Sequence, residues 1–423
     1  MRFAFITPRY GAEITGDAER ACRQLAEHLS RRHDVEVLTT TARDAGTWRG
    51  EYSEGADRVR RVHVRRFAVS PGHDRATHER LEQQLRTAPR TRADELAWVR
   101  ALGPSSAGLI EHLRRQHGSY DALVFFGLCH PLAVAGLELA PRRSVLFPCV
   151  RPGPALRFGL WADLLSTPVS VGFFSNAERQ LVCDYVGLVP RHEEIVGIGV
   201  DPPSRQSYPR HQQDPADAID SEHDEAPGGA DEEETPADYL SAPGIPFRRR
   251  HRLYGDFAFY GGRVEADNGS EELLEYYDAY AAGGNDLPLV LMGAKMLKVP
   301  ETPYLRLSGV LPDRERMTAY EAASVTIVPG AGDLLAESTL QSLAVGTPVL
   351  TSTRNPAAVD HCREAGAGLC YADRDEFVEA LTLLSRQTDL RKRMSESGRR
   401  YVRQHHQWDA VMGRFERLVG RAR

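Results

Sequence analysis

Lysine is scarce in this chain of 423 residues. It occurs only at 295, 298 and 392, and arginine supplies the rest of the 53 basic side chains. There is no basic surplus either: 59 acidic residues leave a formal net charge of −6, which gives little support to nucleic-acid binding. No apolar run approaches the roughly 18 residues that suggest a membrane span. The six cysteines, at 22, 129, 149, 183, 362 and 370, show no CxxC spacing. Neither a zinc site nor a disulfide framework is therefore suggested, and reduced, buried thiols are expected. The apolar opening Met1–Ile6 is too short for a signal peptide and reads as a first strand. The expected location is the cytoplasm.

What is present is the composition of a globular protein, 41% hydrophobic and 26% charged, long enough for two domains. The N-terminal half alternates strand and helix patterns. Strands are predicted at Arg2–Ile6, Val35–Leu38, Val62–Phe67, Ala122–Phe126, Ser144–Phe147, Val169–Phe174 and Glu194–Val196. The clearest helix is Ala18–Arg32, with Ala21, Leu25 and Leu29 on one face. The alternation restarts at Phe257. Strands Phe257–Tyr260, Leu289–Met292, Leu305–Gly309, Val325–Val328, Val349–Ser352 and Gly368–Cys370 interleave with helices Glu271–Tyr280, Arg314–Ala322, Glu337–Ala344, Ala357–Ala365 and Arg374–Arg386. Such alternation predicts parallel sheets with helices on both sides. Two in series predict an α/β protein with two Rossmann-like domains and a ligand cleft at the carboxyl ends of their strands.

Between the halves, 202–246 has no Lys or Arg from 211 to 247 and is rich in Asp, Glu, Pro and Gly. One-sign charge with little apolar area predicts a disordered acidic insertion, either a solvated spacer or a regulatory tail. Arg248-Arg249-Arg250-His251-Arg252 follows at once and offers it a transient partner. The expected division is 1–201, an insertion and linker over 202–252, a second domain over 253–400, and a terminal helix over 401–423.

The most informative stretch is Val328–Val349, VPGAGDLLAESTLQSLAVGTPV. A buried strand ends at Pro329, a helix opens near Glu337, and Gly346-Thr347-Pro348 closes it before the next apolar run. This unit closely resembles the donor-site element of retaining glycosyltransferases of family 4, which have the two-domain GT-B fold. The resemblance extends to TPRYGAE at 7–13, to Gly197-Ile198-Gly199-Val200-Asp201-Pro202-Pro203 and to His361-Cys362-Arg363. It implies a nucleoside-diphosphate sugar held mainly by the second domain, an acceptor mainly on the first, and final helices that cross back to the first. It implies no metal and no cofactor beyond the donor substrate.

The resemblance also names the site residues, and several depart from its pattern. In the family two glutamates eight residues apart hold the donor sugar and the nucleotide ribose; here those positions are Asp333 and Gln341. Glu337, on the same helical face as Gln341, can stand in for either, or simply favour the helix N-terminus. The family's Gly-Arg…Lys-Gly segment neutralises the leaving diphosphate. Gly262 and Arg263 are kept, but Asn268 replaces the lysine, and Lys295 or Lys298 can supply the missing charge. Relatives have Gly-Gly where this chain has Gly16-Asp17, so a carboxylate meets the phosphate path; its ordinary reading is a helix N-cap. Arg151 stands where relatives carry a histidine that faces the donor sugar; it cannot accept a proton but can clamp an anion. His130 lies near the end of a neighbouring strand.

Two functions compete. One is retaining transfer of a hexosyl group to a glycan or lipid-linked acceptor, with Arg263, Asp333 and Arg151 at the reacting centre. Gly16, Asp17, Gly262, Asn268, Lys295, Glu337 and Gln341 would then line the donor. A lipid-linked acceptor would place the protein peripherally at the inner face of the membrane. The other is a silenced glycosyltransferase that binds or regulates an active protein partner. A phosphorylase of the same architecture would need a lysine for pyridoxal phosphate, and none of the three has a suitable context.

Overall fold

The computed structural model describes residues 1–87, 91–201, 244–265, 268–294, 296–330 and 334–422. The first sheet contains β1 (Arg2–Ile6), β2 (Asp34–Thr40), β3 (Gly55–Val59), β4 (Val62–Phe67), β5 (Ala122–Phe126), β6 (Ser144–Phe147), β7 (Ser170–Phe173) and β8 (Glu193–Ile195). Its order is β3-β4-β2-β1-β5-β6-β7-β8, parallel except for the β3–β4 hairpin. The second sheet contains β9 (Ala258–Gly261), β10 (Leu289–Met292), β11 (Leu305–Gly309), β12 (Val325–Val328), β13 (Val349–Ser352) and β14 (Gly368–Tyr371). Its order is β11-β10-β9-β12-β13-β14, parallel throughout. Central strands are apolar on both faces because helices cover both sides: β5 reads ALVFF and β12 VTIV, with every residue buried.

Strand order reverses between β1 and β5 in one sheet and between β9 and β12 in the other. Crevices open at such reversals, beyond the carboxyl ends of the strands. The loops that leave β1, β9 and β12 therefore carry the candidate site.

The chain returns across the molecule at its end. Helix Thr388–His405 packs on the second domain, where Arg399 donates to the Val345 carbonyl at 2.7 and 3.0 Å. It stops at His406, and helix Trp408–Val419 lies on the first sheet. Phe415 meets Phe3 edge-on at 5.7 Å, Trp408 stacks on His28 at 3.6 Å, and Arg414 Nε donates to the Val196 carbonyl at 2.9 Å. Burying each such aromatic stabilises the crossing by roughly 1.5–3 kcal/mol. No helix among the described residues is long and apolar enough to cross a membrane.

Three features differ from the sequence-based reading. The helix break at His406 lies beyond the domain boundary expected at 401, because Tyr401 and Val402 are on the buried face of the helix Thr388–His405, with Tyr401 bonded to His361 and Glu364 of the second domain. Residues Ile245–His251, expected in the linker, form a helix of the second domain. Phe247 is 4% exposed beside Phe257 and Phe259. Arg248 donates to the carbonyls of Gly255 and Ala322, and Arg250 pairs with Glu315. The rest of the acidic insertion, 202–243, lies outside the described residues. Finally, the sheet gains β3, and helices Arg75–Thr87 and Arg92–Leu102 fill the stretch before β5.

Candidate active site

From the first domain, the chain leaves β1 and enters helix Asp17–Leu29. Gly16 is the N-cap and makes no side-chain capping bond. The N-cap reading of Asp17 is therefore corrected: its carboxylate leaves the helix end for two arginines. Arg151 Nη2 donates to Asp17 Oδ2 at 2.5 Å, and Arg20 Nη2 lies 3.7 Å from Oδ1. The Asp17 side chain is 14% exposed, whereas that of Arg151 is 56% exposed.

From the second domain come two loops and a helix. After β9, Arg263 projects with 58% of its side chain exposed, its Nε 3.4 Å from Glu265. Asn268 Nδ2 donates to Glu265 Oε1 at 2.8 Å and to the Arg263 carbonyl at 3.2 Å. Its amide thus folds the loop back on itself while the residue lines the cavity. Beyond β10, Gly293 adopts φ +127°, and a Cβ there would sit 2.1 Å from the Gly262 carbonyl oxygen. Only glycine allows those two backbones to meet. After β12, helix Glu337–Val345 opens with Glu337, whose side chain is 10% exposed. Gln341 Nε2 donates to Glu337 Oε1 at 2.8 Å, one turn away on the same face. Arg20 Nε reaches Glu337 Oε2 at 3.2 Å from the opposite domain, and Arg316 Nη2 lies 3.8 Å from Oε1.

These groups enclose a cavity of about 430 Å³ between the domains. It brings together Asp17, Arg151, Gly262, Arg263, Asn268, Glu337 and Gln341, all expected there, and adds Arg20 and Arg316, which were not. Gly16 caps the helix between Thr15 and Asp17, which line the cavity, and is not itself among the lining residues. Asp333 and Lys295 lie outside the described residues. His130 turns away from the cavity: its ring is edge-on to Trp48 at 6.0 Å and Nδ1 lies 3.2 Å from the Gly103 carbonyl. Among the described residues no group of three or more His, Cys, Asp or Glu could hold a metal ion.

The charges can be counted. Among the described residues that line the cavity, Arg20, Arg151, Arg263 and Arg316 are positive and Asp17 and Glu337 negative, with Glu265 beside Arg263 just outside the lining, so arginine predominates. A cleft between two low-dielectric walls concentrates that excess on a guest of opposite sign. Asn268 brings no charge, but Arg20 and Arg316 do so from helices that no motif marks. Their one visible signal was Arg20, a helical turn after Asp17.

Residues 281–417 match the family model described as glycosyl transferase-like. Similar solved structures include sucrose-phosphate synthase from Thermosynechococcus elongatus, 14% identical with a TM-score of 0.61 over 100% of both chains. They also include α,α-trehalose 6-phosphate synthase from Burkholderia multivorans, 14% identical with a TM-score of 0.62 over 99% of this chain and 98% of that one. HepE from Anabaena, in complex with UDP and glucose, is 12% identical with a TM-score of 0.64 over 99% of both chains. The fold is therefore GT-B, the two-domain architecture of many glycosyltransferases.

Proposed function

We propose that this protein transfers a glycosyl group from a nucleoside-diphosphate sugar to an acceptor hydroxyl, in the manner of the retaining family 4 enzymes that its sequence resembles. The observation that carries this reading is the predominance of arginine over carboxylate in the cavity between the two domains, which suits the negative charge of a nucleotide-sugar diphosphate. Breaking the sugar–phosphate bond builds charge on the departing diphosphate, and fixed arginines at that position stabilise it. In this reading Arg263, Arg20 and Arg316 face the diphosphate. Glu337 takes the place left by the altered glutamates, with Gln341 orienting it. A neighbour that binds UDP and glucose in the same fold supports the choice of donor class.

The test is release of nucleoside diphosphate from uridine, guanosine and thymidine diphosphate hexoses, with and without acceptor alcohols. Turnover of one of them, at roughly 1 s⁻¹ or faster, is the expected result. Tight donor binding without turnover would favour the silenced reading, a binding subunit of an active partner. Absence of both would remove the donor assignment.

A further inference from the structure

A second cavity, of about 340 Å³, adjoins the first and shares Asp17 and Arg151 with it. Its wall comes from the ends of two neighbouring strands of the first domain, with Cys129 beyond β5 and Cys149 and Val150 beyond β6. Ala155 and Leu156 close one side, and Leu334 of the second domain closes another. This wall is apolar. Burial pushes the Cys129 thiol up to about 12 and that of Cys149 well above its ordinary range, so both are small hydrophobic groups at neutral pH. Of the described lining side chains, only Asp17, Glu19 and Arg151 are charged, and they are already engaged. Arg9 grips Glu19 at 2.7 and 2.8 Å, and Arg151 holds Asp17 at 2.5 Å.

We propose that this cavity is the acceptor subsite and that it takes an apolar hydroxyl compound, an aryl or short-chain alcohol, in preference to a sugar. The proposal rests on the donor reading given above. Shape and chemistry argue together. The cavity is at the small end of ligand pockets, and among the described residues Asp17 and Arg151 are the lining side chains that it shares with the donor cavity. An occupant seated on the thiols and Leu156 has its hydroxyl at that junction. A sugar would bury several hydroxyls against thiols and aliphatic side chains, with charged partners only at Glu19 and the Asp17–Arg151 edge, so most would go unmet and each unmet hydroxyl costs affinity. An aryl or alkyl body buries only apolar surface, with one hydroxyl at the polar edge.

The test uses 2-naphthol, followed by its own fluorescence, with maltose as the sugar probe and UDP, GDP and TDP as donor-site probes, all on the full chain. Saturable 2-naphthol binding that maltose does not displace is expected. Ala155→Phe, which fills the cavity, should weaken 2-naphthol by about tenfold or more, while nucleoside diphosphate affinity moves less than about twofold. Cys129→Ser, a smaller change that makes the wall polar, should weaken 2-naphthol in the same direction and guards against misfolding of the filled variant. Nucleotide binding without 2-naphthol binding, displacement by maltose, or 2-naphthol affinity unchanged in both variants would overturn the proposal and leave the donor reading standing. Binding of 2-naphthol without any nucleoside diphosphate would contradict the donor reading and, with it, the acceptor role of the cavity.

Discussion

Arg151 donates a hydrogen bond to Asp17 at 2.5 Å, and each of these residues departs from the pattern of the family that the sequence resembles. The two departures are one ion pair. An aspartate at a helix start facing the interdomain cavity would repel a diphosphate bound there, but here a guanidinium from the β6 loop covers it, and Arg20 stands behind. Taken singly the changes read as erosion. Together they conserve charge at the junction of the two cavities.

A double-mutant cycle tests that pairing. Arg151→Ala should weaken nucleoside diphosphate binding by roughly fivefold, because it uncovers Asp17 beside the phosphate path. Asp17→Asn in the same background should restore most of the loss. Neither single variant should change stability by more than about 1 kcal/mol, since Arg151 is more than half exposed. Additive losses across the cycle would show that the two residues act independently.

Glu337 is held across the cleft by Arg20 and from its own domain by Gln341 and Arg316. Removing Arg20 leaves a buried carboxylate short of a partner, so Arg20→Ala should destabilise the protein by about 1–3 kcal/mol in chemical denaturation. Adding Glu337→Gln should recover much of that, because the orphaned charge goes with it. A double variant as unstable as the sum of the singles would deny the contact.

Gly293 supports the loop that carries Arg263 through its approach to Gly262. Gly293→Ala must move one of the two backbones, at a cost of about 1–3 kcal/mol for the φ value alone. Because the displaced loop carries Arg263, nucleotide affinity should fall along with the thermal midpoint. A variant that loses stability and keeps full affinity would separate this glycine from the site.

The joint between the crossing helices carries a pH dependence. Burial pushes His361 down to about 3 and His406 down to about 4, while Tyr401 lies 2.8 Å from His361 Nδ1 and 3.2 Å from His406 Nε2. Both histidines are neutral in the fold and titrate near 6.5 when unfolded. The unfolded chain therefore binds protons first as pH falls. This contribution is complete above about pH 6.5 and is lost towards pH 4, by on the order of 3 kcal/mol for His406. Glu178, raised by burial to about 7, works the opposite way, stabilising below about 4.5 and losing that stabilisation as pH rises to about 7. Comparing wild type with His406→Gln isolates the histidine: between pH 6.5 and 4 the variant should show a shallower fall in unfolding free energy. Parallel curves would exclude His406 as the source.

Much of the fold was legible because buried parallel strands are short apolar runs, and Ala122–Phe126, Ser144–Phe147, Leu289–Met292 and Val325–Val328 have the bounds read from sequence. The strand Gly55–Val59 was not legible: GADRV lies at the sheet edge, with its three middle residues exposed and no apolar period. Helix Ile245–His251 was hidden by its run of arginines, since a single residue, Phe247, anchors it. The site divided likewise. Arg263, Glu337 and Gln341 sit in recognisable motifs. Arg20 and Arg316 are ordinary helical arginines in the sequence; the packing of two helices of the second domain brings Arg316 to Glu337, and the approach of the first domain brings Arg20.

The most direct test of the account is a calorimetric titration of the full chain with UDP, GDP and TDP at low and physiological salt. One nucleoside diphosphate should bind at a single site, with affinity in the micromolar to millimolar range usual for enzyme substrates and weakening with salt. In the Arg263→Ala, Arg316→Ala double variant that binding should fall by about 30-fold or more, as expected for removing charges that face a desolvated phosphate. No heat at millimolar ligand, or an affinity that the double variant leaves unchanged, would contradict the assignment of the arginine-lined cleft as a diphosphate site.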